Sequence, residues 1–101
     1  MPSIAQLEKL LTLDPNDPFV HYGIGQEHAK HQEHEQAIAC FDRALSIDSE
    51  YCYAYYFKAI SLKELGRQAE SIEVAKHGLE QAQQAGDSKA RSELHALIST
   101  L

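Results

Sequence analysis

Residues 18–51 read PFVHYGIGQEHAKHQEHEQAIACFDRALSIDSEY, and residues 52–85 read CYAYYFKAISLKELGRQAESIEVAKHGLEQAQQA. Laid over one another at a shift of 34, Phe19 falls on Tyr53, Tyr22 on Tyr56, Gly25 on Ala59, Ile38 on Ile72 and Leu45 on Leu79. Carried upstream, the same shift sets Leu7 on Phe41, Leu11 on Leu45 and Asp14 on Asp48. Leu11, Leu45 and Leu79 therefore form one column through three units. Self-similarity at a fixed period of this size means stacked supersecondary units, each too small to bury its apolar face alone.

Each unit reads as two helices. Asp17 is a good N-cap, and Pro18 follows at the first helical position, where its missing N–H costs nothing. Tyr22, Ile24, Gly25 and Ala29 then recur at helical spacing to about His31. After the polar break Gln32-Glu33, Ala37, Ile38, Phe41, Ala44 and Leu45 share one face. Asp48 and Ser49 stop this helix and can cap the next, which carries Tyr55, Ala59 and Leu62. Gly66 stands at a C-cap-like site, and Ile72, Ala75, Gly78 and Leu79 mark the following helix.

The ends are half-units. Ser3 and Gln6 have capping-box spacing, opening a helix over 3–13 with Leu7, Leu10 and Leu11 on one face. Asp87 caps a last helix over 87–101, with Ala90, Leu94, Leu97, Ile98 and Leu101 on one stripe. There the 34-residue register fails, since Tyr55 meets Lys89 and Ala59 meets Glu93. The mismatch points to a terminal helix that covers exposed core. The reading is one all-α domain over 1–101, without strands: a half-repeat helix (3–13), repeat 1 (18–51), repeat 2 (52–85) and a capping helix (87–101). It predicts about five antiparallel helices.

The spacing resembles the tetratricopeptide repeat, whose signature is W-x2-L-G-x2-Y, then A-x3-F, then P, at a 34-residue period. The first unit carries His21-x2-Ile24-Gly25-x2-His28, then Ala37-x3-Phe41-x2-Ala44, with Ser49 where proline is usual. The second carries Tyr55-x2-Lys58-Ala59-x2-Leu62, then Ser71-x3-Ala75-x2-Gly78. The small residues Gly25, Ala37, Ala44, Ala59, Ser71 and Gly78 let paired helices approach closely. Two histidines at aromatic positions and Lys58 at an apolar one depart from the pattern. The resemblance covers roughly residues 4–85 and implies a right-handed solenoid of helical hairpins.

It also implies a concave groove, lined by the first helix of each unit, that binds a peptide or helix of a protein partner. The matching positions are Phe19, Tyr22, Gln26, Ala29 and Lys30, then Tyr53, Tyr56, Ile60, Lys63 and Glu64. Aromatic side chains in such a site bury large area at low entropic cost. Family members that clamp a C-terminal carboxylate use lysine and asparagine on these helices. Here Tyr22, Gln26 and Tyr56 stand there, with Gly23 and Phe57 nearby, so a hydrophobic or helical segment fits better. The competing reading is structural: Tyr51, Tyr53, Tyr55, Tyr56 and Phe57 fill repeat interfaces, with Tyr55 in the core. In that case the chain is a structural or self-associating module with no free groove. A homodimer that extends a short groove is a further alternative.

The totals narrow the classes. A formal charge of −6, from 15 acidic and 9 basic side chains, with the basic ones scattered singly, argues against nucleic acid and anionic membranes. Cys40 and Cys52 form no C-x-x-C unit and read as reduced thiols in a cytoplasmic protein. The N-terminal Met-Pro-Ser-Ile-Ala-Gln lacks the pattern of a leader, and no apolar run is long enough to span a membrane. His21, His28, His31 and His34 crowd together, and His28, His31 and His34 invite a metal reading. No His-Glu-x-x-His and no zinc-finger spacing supports it, and His21 and His28 read more simply as satisfied core histidines. No catalytic constellation and no cofactor motif stands out, so the expectation is a non-enzymatic interaction scaffold.

Overall fold

The computed structural model describes residues 2–101; Met1, where the stretch read for a leader begins, lies outside them. Among the described residues there are six α-helices and no strand. They are α1 (Ile4–Leu13), α2 (Pro18–Lys30), α3 (His34–Ile47), α4 (Cys52–Glu64), α5 (Gln68–Ala85) and α6 (Ser88–Thr100). The expected five is one short, because each break inside a unit separates two helices and each flanking segment adds another.

Caps set the boundaries. Ser3 and Gln6 close a full capping box on α1, Asp17 accepts the Phe19 N–H, and Asp87 accepts the Ala90 N–H. Asp48 does not cap α4. Its Oδ1 accepts the Glu50 N–H inside the turn, and Tyr51 opens the helix without a side-chain cap. The reason is distance along the chain: four residues separate Ile47 from Cys52, so Asp48 sits too early to reach the first turn.

Three helices end alike. Beyond α2, α4 and α5, the residues Gln32, Gly66 and Gly86 take φ of 63°, 77° and 69°. In each, the following N–H returns to the last turn: Glu33 to His28, Arg67 to Leu62 and Asp87 to Ala82. This double-bonded end satisfies carbonyls that would otherwise lack partners.

Paired helices meet through small residues. A Cβ on Gly25 would lie 2.6 Å from the ring of Phe41, and one on Gly78 would lie 2.6 Å from Cβ of Tyr55. Ala37, Ala44, Ala59 and Ser71 are fully enclosed, and the Ser71 hydroxyl donates to the Ala59 carbonyl at 2.6 Å. Phe41, Leu62 and Leu94 are the largest fully buried apolar side chains. Each contributes on the order of 2 kcal/mol by leaving water.

Every helix packs on its neighbours in sequence; beyond that, α2 touches α4 and α4 touches α6. α1 docks on α2 through Leu7, Val20 and Ile24. α6 docks through Ala90 and Leu94, against Cys52, Ala82, Tyr53, Tyr56 and Leu79. α5 has 18 residues to the 14 of α3, and the turn after it is two residues against four, so α6 starts 36 residues after α4, whereas α4 starts 34 after α2. At that longer offset Val20, Ala54 and Ala90 become equivalent, and all three are buried. α6 therefore repeats the placement of α2 and α4.

The departures from the repeat pattern have local causes. His21 and His28 are half-buried, not core. Nε2 of His21 lies 2.9 Å from the Pro15 carbonyl, and Nδ1 of His28 lies 3.0 Å from Oε1 of Glu33. Each ring reaches outward to a polar partner in an adjoining turn. Lys58 stands at its apolar position by pairing with Asp42 across the α3–α4 contact.

Candidate functional site

α2 and α4 lie side by side, and their facing sides carry the residues singled out for the groove. Phe19 stands largely in solvent, at 65% exposure. Tyr22, Gln26, Ala29, Tyr53, Tyr56 and Ile60 are half-buried, while Lys30, Lys63 and Glu64 are exposed. The rings form a continuous run. Phe19 to Tyr22 is 6.4 Å between centroids, Tyr22 to Phe57 is 5.9 Å, Phe57 to Tyr56 is 5.0 Å and Tyr56 to Tyr53 is 6.2 Å. Phe57 links the two helices' aromatics, and Tyr51 stacks against Tyr22 at 4.9 Å.

Toward the C-terminal ends of α2 and α4 the strip opens into a cleft of about 410 Å³. It is lined by Gln26, Ala29, Lys30, Gln32, His34, Phe57, Ile60, Ser61 and Glu64. The structure thus brings five of the sequence-derived positions together in this cleft (Gln26, Ala29, Lys30, Ile60 and Glu64). Phe19, Tyr22, Tyr53 and Tyr56 lie at the other end, and Lys63 lines neither. Gln32, His34, Phe57 and Ser61 were missed as lining residues. Phe57 could have been found from its place one residue beyond Tyr56 and three before Ile60. Gln32 and His34 sit on the turn into α3, where helical periodicity carries no information.

Tyr55 is buried, and its hydroxyl donates to the Ser49 carbonyl at 2.7 Å. The groove phenols are less settled. Burial, and then the neighbouring Tyr51, Tyr53 and Glu93, push the Tyr22 hydroxyl well above the ordinary tyrosine range. Burial with Asp17 and Asp48 nearby pushes Tyr51 up to about 12. Tyr53 is also raised, by burial and then by Glu93. Its hydroxyl is enclosed and closes no hydrogen bond, although the Glu93 carboxylate of α6 stands beside it.

The histidines do not converge. His28 pairs with Glu33, and His34 places Nδ1 3.4 Å from the Ser61 hydroxyl and Nε2 3.3 Å from Oε1 of Gln32. His31 is exposed at the end of α2. Among the described residues, no three His, Cys, Asp or Glu side chains gather as metal ligands do. The Ser61–His34 contact lacks the parts of a nucleophilic site. Ser61 is 1% exposed, within a helix whose neighbouring N–H groups are spent in the helical ladder and cannot hold an oxyanion. Cys40 and Cys52 are free thiols, both pushed up chiefly by burial, which removes thiolate character. No helix among the described residues is long and apolar enough to cross a membrane. This face presents an aromatic ledge leading into a small, mainly apolar cleft.

Comparison with known proteins returns one architecture. Residues 18–51 match the family model of the tetratricopeptide repeat. A tetratricopeptide repeat domain protein of Salinibacter ruber is 32% identical in its crystal structure. The match covers 83% of this chain and 93% of that one, with a TM-score of 0.77. Superkiller protein 3 of Saccharomyces cerevisiae is 36% identical over 72 residues, 71% of this chain, although those residues span 5% of the yeast protein. The TPR2B domain of yeast Sti1, solved in its complex with pHsp70, superposes with a TM-score of 0.90 at 18% identity. That match covers 95% of this chain and 77% of the domain.

Proposed function

Because this chain belongs to the tetratricopeptide-repeat family, we propose that it is a non-catalytic interaction module that holds a peptide or helix of a protein partner along the α2–α4 face. The observation that carries this is the continuous ring run from Phe19 to Tyr53 ending in the cleft lined by Ala29, Phe57 and Ile60. A mainly packing role leaves unexplained why Phe19, at the start of the run, is 65% exposed. The cleft is roughly the size of one or two large side chains, so an apolar anchor of the partner fits it, with Gln26, Lys30 and Glu64 as a polar rim. The Sti1 domain, solved in complex with pHsp70, supplies a precedent for ligand binding by this fold.

In this reading α6 closes one end of the array. Arg91 and His95 stand where α4 carries Tyr55 and Ala59, and both are exposed, so that side of α6 is a polar surface unsuited to stacking another hairpin. The test is to compare capture of partners by the wild type and by Ile60→Asp, which puts a charge in the cleft at a half-buried position. We expect the variant to keep its unfolding midpoint within a few degrees and to lose its partners. Equal recovery of partners by the two folded proteins would overturn the groove reading.

A further inference from the structure

α1 falls in the second-helix columns of the repeat. At the 34-residue shift Ser3 aligns with Ala37 and Ser71, and Leu10 with Ala44 and Gly78. In the complete second unit these columns face the unit's own first helix: the Ser71 hydroxyl donates to the Ala59 carbonyl of α4, and a Cβ on Gly78 would meet Tyr55. Ala37, Ala44 and Ser71 are fully enclosed, yet Ser3 is exposed and Leu10 is 46% exposed. Among the described residues α1 packs on α2 alone, so this side of it stands open. Leu13, one turn further on, is also exposed, and Phe19 follows at the start of α2. Three of the four exposed large apolar side chains thus fall between residues 10 and 19, a concentration that marks an interaction surface.

The same end of the molecule is acidic. Residues 1–50 hold nine acidic and three basic side chains, the chain's entire −6, while residues 51–101 hold six of each. Of the three cations, Lys30 pairs with Glu27, Arg43 reaches Asn16 from α3, and Lys9 shares α1 and its turn with Glu8, Asp14 and Asp17. A second copy fits this face poorly. Its own first half carries the same negative charge, and its terminal first-type helix, α6, turns Arg91 and His95 outward, where leucines need apolar cover. Going beyond the groove reading, we propose that the open side of α1 receives a basic amphipathic helix of a protein partner, which completes the half-unit in trans. The helix takes the place that α4 has beside α5, and the 13 residues of α2 and α4 set its length. Its apolar stripe covers Leu10 and Leu13, and its lysines or arginines answer the acidic half of the chain.

The test uses three capped peptides of about 16 residues, long enough to turn helical on docking. One carries leucine and alanine on one face and lysine on the other. The second has glutamate in place of lysine, and the third scrambles the lysine sequence so that no apolar face forms. Amide chemical shifts of the full chain follow binding and report where each peptide sits. We expect the lysine helix to move the amides of Gln6, Leu10 and Leu13. It should bind about tenfold tighter than the glutamate helix at low salt, a margin that shrinks as salt rises. The scrambled peptide should leave those amides in place. Leu13→Gln, at an exposed position, should keep the fold and weaken the lysine helix about tenfold, whereas Leu65→Gln at the end of α4 should change nothing. Equal binding of the lysine and glutamate helices, or shifts confined to Tyr53 and Ile60, would overturn the proposal and leave the groove reading standing. So would an unaffected Leu13→Gln. A chain that doubles its mass at high concentration, and stops doing so with Leu13→Gln, would assign the face to a second copy instead. The groove reading can fail in turn, through Ile60→Asp, while the lysine helix still binds α1.

Discussion

Gln32 and Gly66 occupy equivalent turns 34 residues apart, with φ of 63° and 77°. A side chain in this left-handed region brings its Cβ against the following carbonyl, at a cost of about 1 kcal/mol that glycine avoids. Gln32 recovers only a long contact to His34 at 3.3 Å. Gln32→Gly should therefore raise stability by about 1 kcal/mol, read as a higher urea midpoint at unchanged slope. At this scale the sequence was legible where a residue's size does the work. Gly25, Ala37, Ala59 and Ser71 fall in columns that mark close helix contacts, and each is buried. It was illegible where a side chain answers to a turn. Nothing in the periodicity of α2 shows that His21 reaches the Pro15 carbonyl, or that Gln32 must adopt a glycine's backbone.

Among the elements, α6 has a thin attachment, exceeded in this only by α1, where Leu7 alone is buried. Only Ala90 and Leu94 are buried along its length, so its docking depends on one large side chain. Leu94→Ala leaves a void against Gly78 and Cys52 and should cost about 2–5 kcal/mol. Chemical denaturation should show this loss, with α6 amides exchanging early, while Leu13→Ala, at a position 84% exposed, should stay within about 0.5 kcal/mol. The same helix shows why a fixed shift stops being informative. The longer α5, partly offset by the shorter turn after it, displaces every later position by two residues, so a comparison at 34 sets Ala59 on Glu93 and conceals the equivalence of Ala54 and Ala90. In the candidate site, the two lining helices and most of the groove positions were legible because they share one face. The continuity of the strip was not, since spacing puts Phe57 beside the groove positions or in the repeat interface without showing that it joins the two helices' rings.

For the whole molecule, the tyrosines couple stability to alkaline pH. Tyr22, Tyr51, Tyr53 and Tyr55 are all raised above the ordinary value of 10.0, chiefly by burial. Folding favours their neutral form, so this contribution is fully present below pH 10. The unfolded chain ionises first, and stability drains away as pH climbs from about 10 through about 12, where Tyr51 follows in the folded state. A melting temperature that drops steeply over that window, with phenolate absorbance appearing late in the folded protein, is the expected result. A flat melting profile between pH 9 and 11.5 would refute it.

The six helices are also arranged as a line: each leans on the next, and contact never reaches past the next but one. Loops that must close before contacts form are accordingly short, and the entropic toll of assembly is small, which places such a chain among fast folders. Opening follows the same geometry in reverse. α1 and α6 each have only one neighbour in sequence to lose, so the molecule unzips from its ends. The α2–α4 face, held between α3 and α5, is then the last part of the chain to come apart.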